Sequence, residues 1–311
     1  TADRIAQLGA AEIEERAAAA GAIAVRARDE SEWAASEPGR AAAAGPIVSL
    51  TARADTTRSA GDPTLTCKRP LSDLRVLDLT RVIAGPVATR ALALLGADVL
   101  RIDSPHLPEI PWQHLDTGQG KRSALLDVVR DRDRALELVA GADVLVTGYR
   151  PGALDDFAAE AIAARPGLVH ARVSAWGESG PWAHRRGFDS IVQAASGIAL
   201  IEGTDRPGAL PAQALDHATG YLLAAGILDA LTARDVDGRG RDVVASLART
   251  AAWLLDAPGR EPVHPVATLT YETLLATNGA VRTARPALGE YDDYPSPAQP
   301  WGSDVPAWRE R

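Results

Sequence analysis

The sequence predicts an α/β protein: a doubly wound, mostly parallel sheet with a partial small α/β domain before it and an extended C-terminal tail after it. Three observations carry that expectation. The chain has 311 residues, 46% hydrophobic and 24% charged, enough length and apolar content to bury a core in one large or two modest domains. From Pro70 to about residue 250, short apolar runs alternate with helix-length segments. Beyond Gly259, prolines are frequent and apolar positions lose any period.

Residues 2–20 carry Ile5, Leu8 and Ile13 in an Ala-rich run with interspersed Glu and Arg, a helical pattern that Gly21 ends. Ala22 to Val25 reads as a short strand, and Asp29 to Trp33 starts another helix that Gly45-Pro46 breaks. Residues 1–45 are therefore a partial small α/β domain. Thr51 to Thr66 is Thr, Ser, Asp, Gly and Pro with few large apolar residues, so 46–70 reads as a linker.

A domain over 71–250 follows. Leu74 to Leu79 is a strand, Gly85-Pro86 opens a helix through Leu95, Gly96 stops it, and Asp98 to Ile102 is the next strand. The alternation continues with a helix over Arg132 to Val139, a strand over Asp143 to Val146, a helix over Ala153 to Ala164 and a strand over Leu168 to Ser174. Helices of this length between strands imply right-handed crossovers and a ligand crevice at the carboxyl ends of the strands. A last helix covers Thr219 to Ala233, and residues 251–311 read as a tail laid on the domain surface or on a partner subunit.

Composition excludes several functions. A formal net charge of -8 disfavours a broad nucleic-acid surface, which works by neutralising many phosphates. No apolar stretch approaches the roughly 20 residues of a membrane-spanning helix. No basic then apolar opening marks export. Cys67 is the single cysteine, so no internal disulfide forms, in keeping with a cytoplasmic setting. The six His residues are scattered without ligand spacing, and no metal is expected. Leu79 is followed by Thr80-Arg-Val-Ile-Ala-Gly85-Pro86 instead of the G-x-G-x-x-G of nicotinamide enzymes, so no redox cofactor is expected. Thr117 to Ser123 fails as a phosphate-binding P-loop, because Arg122 stands where Ser or Thr must bind magnesium and Leu115 where the first Gly belongs.

A series of segments occurs in one consistent order: LRVLDLTRVIAGP (74–86), LGADVLRI (95–102), GKRSALLD (120–127), ADVLVTGYRPGAL (142–154), RPGL (165–168), GESGP (177–181), FDSIVQAASG (188–197), ALDHATG (214–220) and GRGRDVVASL (238–247). In that order the chain resembles the family III CoA-transferases of the CaiB/BaiF type, the superfamily that also holds formyl-CoA transferases and acyl-CoA racemases. The resemblance implies a Rossmann-like, CoA-binding sheet over 71–250. GAIAVR (21–26), Glu32-Trp33 and Gly39 look like a small-domain segment that in this family normally lies after that half, so the order is permuted or tandem. The chain starts at Thr1 and contains no Met, and it is expected to be a piece of a longer protein. On that expectation the face of Ile5, Leu8, Ile13, Ile23 and Val25 is left unfilled.

Asp216 heads a helical segment and by itself reads as an N-cap. The resemblance places it on the family's nucleophilic aspartate, and the two readings are compatible: a helix N-terminus holds a carboxylate ionised, the form that attacks a thioester. Asp216 and His217 are not a dyad, since helix neighbours point about 100° apart. The resemblance implies CoA transfer from an acyl-CoA thioester to a carboxylic acid through an aspartyl-CoA intermediate, with CoA as substrate. Val82, Ile83 and Ala84 match the segment bordering the thioester. Lys121, Arg122, Arg150 and Arg186 are candidate cations for the CoA phosphates, and Tyr149 either stacks or packs. Asp156 and Ser104 depart from the pattern, since relatives often carry a basic residue at the first position and some carry a CoA-phosphate Arg at the second. The racemases use a His in a GHD-type segment; here Gly187-Phe188-Asp189 has Phe in its place, which favours transferase over racemase. A non-catalytic CoA-binding remnant is the remaining alternative. The resemblance also implies an interlocked homodimer.

Overall fold

The computed structural model describes residues 2–57, 70–150, 152–261, 270–278 and 281–310. Cys67, Pro151 and residues 58–69 of the expected linker lie outside the described residues. The elements run α1 (Ala2–Ile5), α2 (Ala10–Ala19), α3 (Glu30–Ala35), α4 (Glu37–Ala43), β1 (Val48–Thr56), β2 (Arg75–Leu79), α5 (Ala84–Leu94), β3 (Asp98–Asp103), α6 (Pro111–Thr117) and β4 (Arg122–Leu125). They continue with α7 (Arg132–Ala140), β5 (Val144–Thr147), α8 (Asp155–Ala164), β6 (Val169–Ser174), α9 (Asp189–Ser196), α10 (Ile198–Ile201), α11 (Ala214–Asp237), β7 (Arg239–Ser246) and α12 (Leu247–Leu255), and end with α13 (Tyr271–Leu274), β8 (Leu275–Asn278) and β9 (Val281–Ala284).

Seven strands form one sheet in the order β1-β7-β6-β5-β2-β3-β4. All pairs are parallel except β1 with β7. Side chains alternate across it, so Val76, Val99, Val144 and Val146 enter the core on one face while Leu77, Leu79, Leu100 and Leu145 enter the core on the other. Because β2 leads to β3 on one side and pairs with β5 on the other, the order in which successive strands are added reverses between β2 and β5. A crevice opens at the carboxyl ends of such a pair.

Two local expectations are corrected. Residues 48–56, read as linker, are an edge strand in register with β7 from Val48 opposite Ala245 to Thr56 opposite Arg239. Val48, Leu50 and Ala52 alternate with Ser49, Thr51 and Arg53, and a half-exposed edge strand tolerates that polar content. Ala22 to Val25 forms no strand, because no neighbouring strand offers its backbone a ladder. The N-terminal helices instead dock on the main body. Trp33 packs 6.1 Å from Trp176 and 5.4 Å from Trp182, and Arg28 stacks 5.3 Å over Trp182 while its guanidinium holds buried Glu14 at 2.8 Å. Of the apolar face carried by the first 25 residues, Ile5 is 52% exposed and Leu8, Ile13, Ile23 and Val25 are partly buried.

The described tail crosses the β4 edge of its own sheet. Asp304 N–H donates to Ser123 O at 2.8 Å, and Ser123 N–H donates back to the Asp304 carboxylate at 2.9 Å. Trp308 Nε1 donates to Leu138 O at 2.8 Å while its ring lies 5.6 Å under the Arg75 guanidinium. Covering the β4 edge removes an open template for strand pairing. Replacing Trp308 with Ala is expected to cost about 2–4 kcal/mol, read as a lowered midpoint in thermal or urea unfolding.

Candidate functional site

Three pieces of chain meet at the crevice. The first is the turn after β2, where Val82 has a φ of 68° and Ile83 is the N-cap of α5 at φ -128°. The second is the turn after β5, Gly148-Tyr149-Arg150, pressed against the first so closely that a Cβ on Gly148 would lie 3.3 Å from Thr80 Cβ. The third is the first turn of α11, which carries Asp216. Gly220 lets α11 approach, since a Cβ there would stand 2.6 Å from Ala84 O, and Asp216 lies one helical turn before Gly220 on the same face. Val82, Ile83, Ala84, Tyr149 and Asp216 are thus brought to one end of the sheet, as is exposed Arg150.

Asp216 is the third residue of its helix and not the N-cap, a place taken by Gln213 in the left-handed region with no side-chain cap bond. The residue is 7% exposed, and its carboxylate has neither an ion-pair nor a hydrogen-bond partner among the described residues. Burial, and secondly the neighbouring Asp189 carboxylate, push its pKa up to about 7. Burial thus works against the helix terminus, which favours the ionised form.

Asp189, the first residue of α9, is held by a strut that the sequence reading did not single out. Leu210 N–H donates to Gln193 Oε1 at 2.8 Å, which turns Gln193 Nε2 toward Asp189 Oδ1, and Asp216 N–H donates to Asp189 Oδ2 at 3.0 Å. Both Asp189 oxygens thus accept hydrogen bonds that fix the side chain beside Asp216. The spacing of Asp189 and Gln193, four apart on a helix just before the segment that carries Asp216, was the available signal.

The candidate cations divide. Arg150 and Arg186 line one cavity of about 380 Å³, together with His184 and Arg185, beneath the 21–25 segment. Arg185 lies 2.8 Å from Glu15 and stacks 4.7 Å over Trp182. Lys121 and Arg122 lie elsewhere, with their cationic groups bound within the chain. Lys121 is 2% exposed and its Nζ donates to Asp78 at 3.0 Å, Pro86 O at 2.8 Å and Thr89 Oγ1 at 2.6 Å, which uses all three of its donors. Burial pushes its pKa down to about 8 against the pull of Asp78. Arg122 grips Asp98 through two bonds of 3.0 Å and donates to Ala307 O at 2.6 Å, at the amino end of the sheet. Ser104 accepts from His106 N–H just past β3, and Asp156 is exposed on the first turn of α8. Phe188, the N-cap of α9, is 49% exposed. Among the described residues no three His, Cys, Asp or Glu side chains are placed to share a metal ion, and no helix is long and apolar enough to cross a membrane.

The raised pKa fixes a pH dependence. With its pKa raised by burial from an ordinary carboxylate value to about 7, the contribution of Asp216 to folding stability falls as pH rises from about 4 to 7 and is level above. Asp216→Asn is expected to stabilise the protein by roughly 1–3 kcal/mol at pH 8, with most of the gain gone by about pH 4.5, in thermal melts across pH.

The family described as CoA-transferase family III matches residues 71–290. The acetyl-coenzyme A transferase nodX of Hypoxylon pulicicidum is 35% identical over 210 residues, 63% of this chain and 35% of that protein. The acetyl-CoA:oxalate CoA-transferase of Acetobacter aceti is 36% identical over 199 residues, 58% of this chain and 51% of that one. The crystal structure of Rv3272 from Mycobacterium tuberculosis superposes with a TM-score of 0.56 at 31% identity, covering 60% of this chain and 56% of that one. The chain thus spans about half the length, or less, of these relatives. With the matched region running from the turn before β2 through Asp216 and into the tail, the chain belongs to CoA-transferase family III.

Proposed function

We propose that the protein transfers coenzyme A between an acyl-CoA thioester and a carboxylic acid, with Asp216 as the nucleophile. The observation that carries this reading is Asp216 itself: a buried carboxylate without a cation or donor, in a protein whose other buried acids such as Asp78 and Asp103 are each bound to one. Leaving a buried carboxyl unpaired is costly, and such groups mark reactive sites.

In the proposed sequence an Asp216 oxygen attacks the acyl carbonyl carbon, the C–S bond breaks, and CoA leaves as thiolate. The thiolate attacks the aspartyl carbonyl of the mixed anhydride and expels the donor acid as carboxylate, leaving an aspartyl-CoA thioester. The acceptor carboxylate attacks that thioester and releases the thiolate, which then attacks the acceptor's acyl carbonyl and frees Asp216. No net proton or electron is exchanged. Burial, which raises its pKa to about 7, makes the ionised carboxylate a stronger nucleophile than a solvated one. Arg150 and Arg186, on one cavity wall with Arg185, suit the phosphates of CoA. Phe188 offers no proton carrier where a racemase needs one, which favours transfer. We further propose a cytoplasmic, interlocked homodimer.

Incubation with an acyl-CoA followed by hydroxylamine or borohydride is expected to modify Asp216 alone, seen by peptide mass spectrometry, and Asp216→Ala is expected to lose at least about 10³-fold of CoA exchange between succinyl-CoA and a panel of carboxylic acids. Full exchange by that variant overturns the mechanism. Racemisation without exchange supports the isomerase alternative, and CoA binding with neither activity supports a non-catalytic remnant.

A further inference from the structure

We infer that Glu109 is a positioning residue that locks the Val82 peptide and thereby sets where the 82–84 backbone meets the acyl-CoA. The inference rests on the site being an acyl-CoA site, as proposed above.

Val82 is a β-branched residue in the left-handed region, φ 68°, a conformation that costs on the order of 1–3 kcal/mol and persists only where its surroundings impose it. Glu109 is what imposes it. Val82 N–H donates to Glu109 Oε2 at 2.9 Å, and that oxygen also accepts from Arg101 at 2.8 Å. Oε1 accepts from Ile110 N–H at 3.0 Å and lies 3.7 Å from Arg81. The Glu109 side chain is 1% exposed, and although burial acts to raise its pKa, these donors hold it below the ordinary range. With three hydrogen bonds accepted and the Arg81 charge facing Oε1, the buried Glu109 carboxylate serves as an anchor for the backbone around it. What it does have is reach: it ties the loop before α6 to a turn 27 residues earlier.

The other end of the locked segment is wedged. Ala84 O lies against Gly220, with no room for a Cβ, one helical turn from Asp216. The 82–84 backbone therefore spans from Glu109 to the nucleophile's helix. A Val82 free to relax to negative φ would redirect the chain between two fixed points, and with it the surface offered to the thioester arm.

Two conservative variants separate reach from charge. Glu109→Asp keeps a carboxylate for Arg101 but falls short of Val82 N–H; Glu109→Gln keeps an acceptor for Val82 N–H and gives up the charge. Titration of desulfo-CoA by calorimetry and steady-state exchange on the full chain are the readouts. The expected result is that Glu109→Asp weakens desulfo-CoA binding and raises the acyl-CoA KM at least tenfold, with the acceptor-acid KM within twofold, while Glu109→Gln stays within threefold of the unmodified protein. Adding Val82→Gly to Glu109→Asp should recover at least threefold, because Gly adopts positive φ without steric cost. The reverse ranking, or both variants within threefold, overturns the inference. An unmodified protein that neither binds desulfo-CoA nor exchanges CoA overturns instead the reading on which it rests.

Discussion

A buried ionic lattice at the carboxyl ends of β2 and β3 holds this site in shape. Asp78 accepts from Lys121, Thr80 and Thr89, and Arg101, fully buried, binds Asp103 and Glu109. Burial alone would raise the Asp78 pKa; Lys121 and Arg101 hold it below the ordinary range. Charges taken out of water this completely persist only when matched, and removing one partner of such a pair typically costs about 3–5 kcal/mol. The lattice therefore fixes the turn from Thr80 to Ala84, on which the crevice depends.

Set against that lattice, Asp216 is the exception. The protein satisfies its other buried acids and leaves this one beside a second carboxylate, Asp189, whose own oxygens are already engaged. Leaving a buried carboxyl without a partner gives up stability that a paired or apolar group there would keep. Gly220 is the packing counterpart, a missing side chain that lets α11 close on α5 and bring the strained turn and the carboxylate together.

The structure also shows how one chain assembles this half of the family's architecture. The N-terminal helices lack a core of their own and lend Trp33 to an aromatic cluster with Trp176 and Trp182, against which Arg28 and Arg185 stack. That contact places the 21–25 segment over the cavity of Arg150 and Arg186. At the other edge the tail seals β4, using Trp301 and Trp308 as hydrogen-bonded anchors.

What the sequence determined by itself is local and periodic. The alternation of strands and helices from Leu74 to Ser174, the order of the family's segments, and Asp216 in the first turn of a helix are all fixed within windows of a few residues, where period and capping chemistry act. The edge strand at 48–56 escaped because a half-solvated strand rich in Thr and Arg has the composition of a linker. The internal partners of Lys121 and Arg122 were not legible, because a basic pair after a turn has the same letters whether it faces solvent or a buried Asp. The left-handed Val82, the pKa of Asp216 and the convergence of Arg150 with Arg186 were decided only by tertiary structure. Each depends on partners distant in sequence, Glu109, Asp189 and the loop at 181–186, and on the low dielectric that burial creates, neither of which a linear pattern contains.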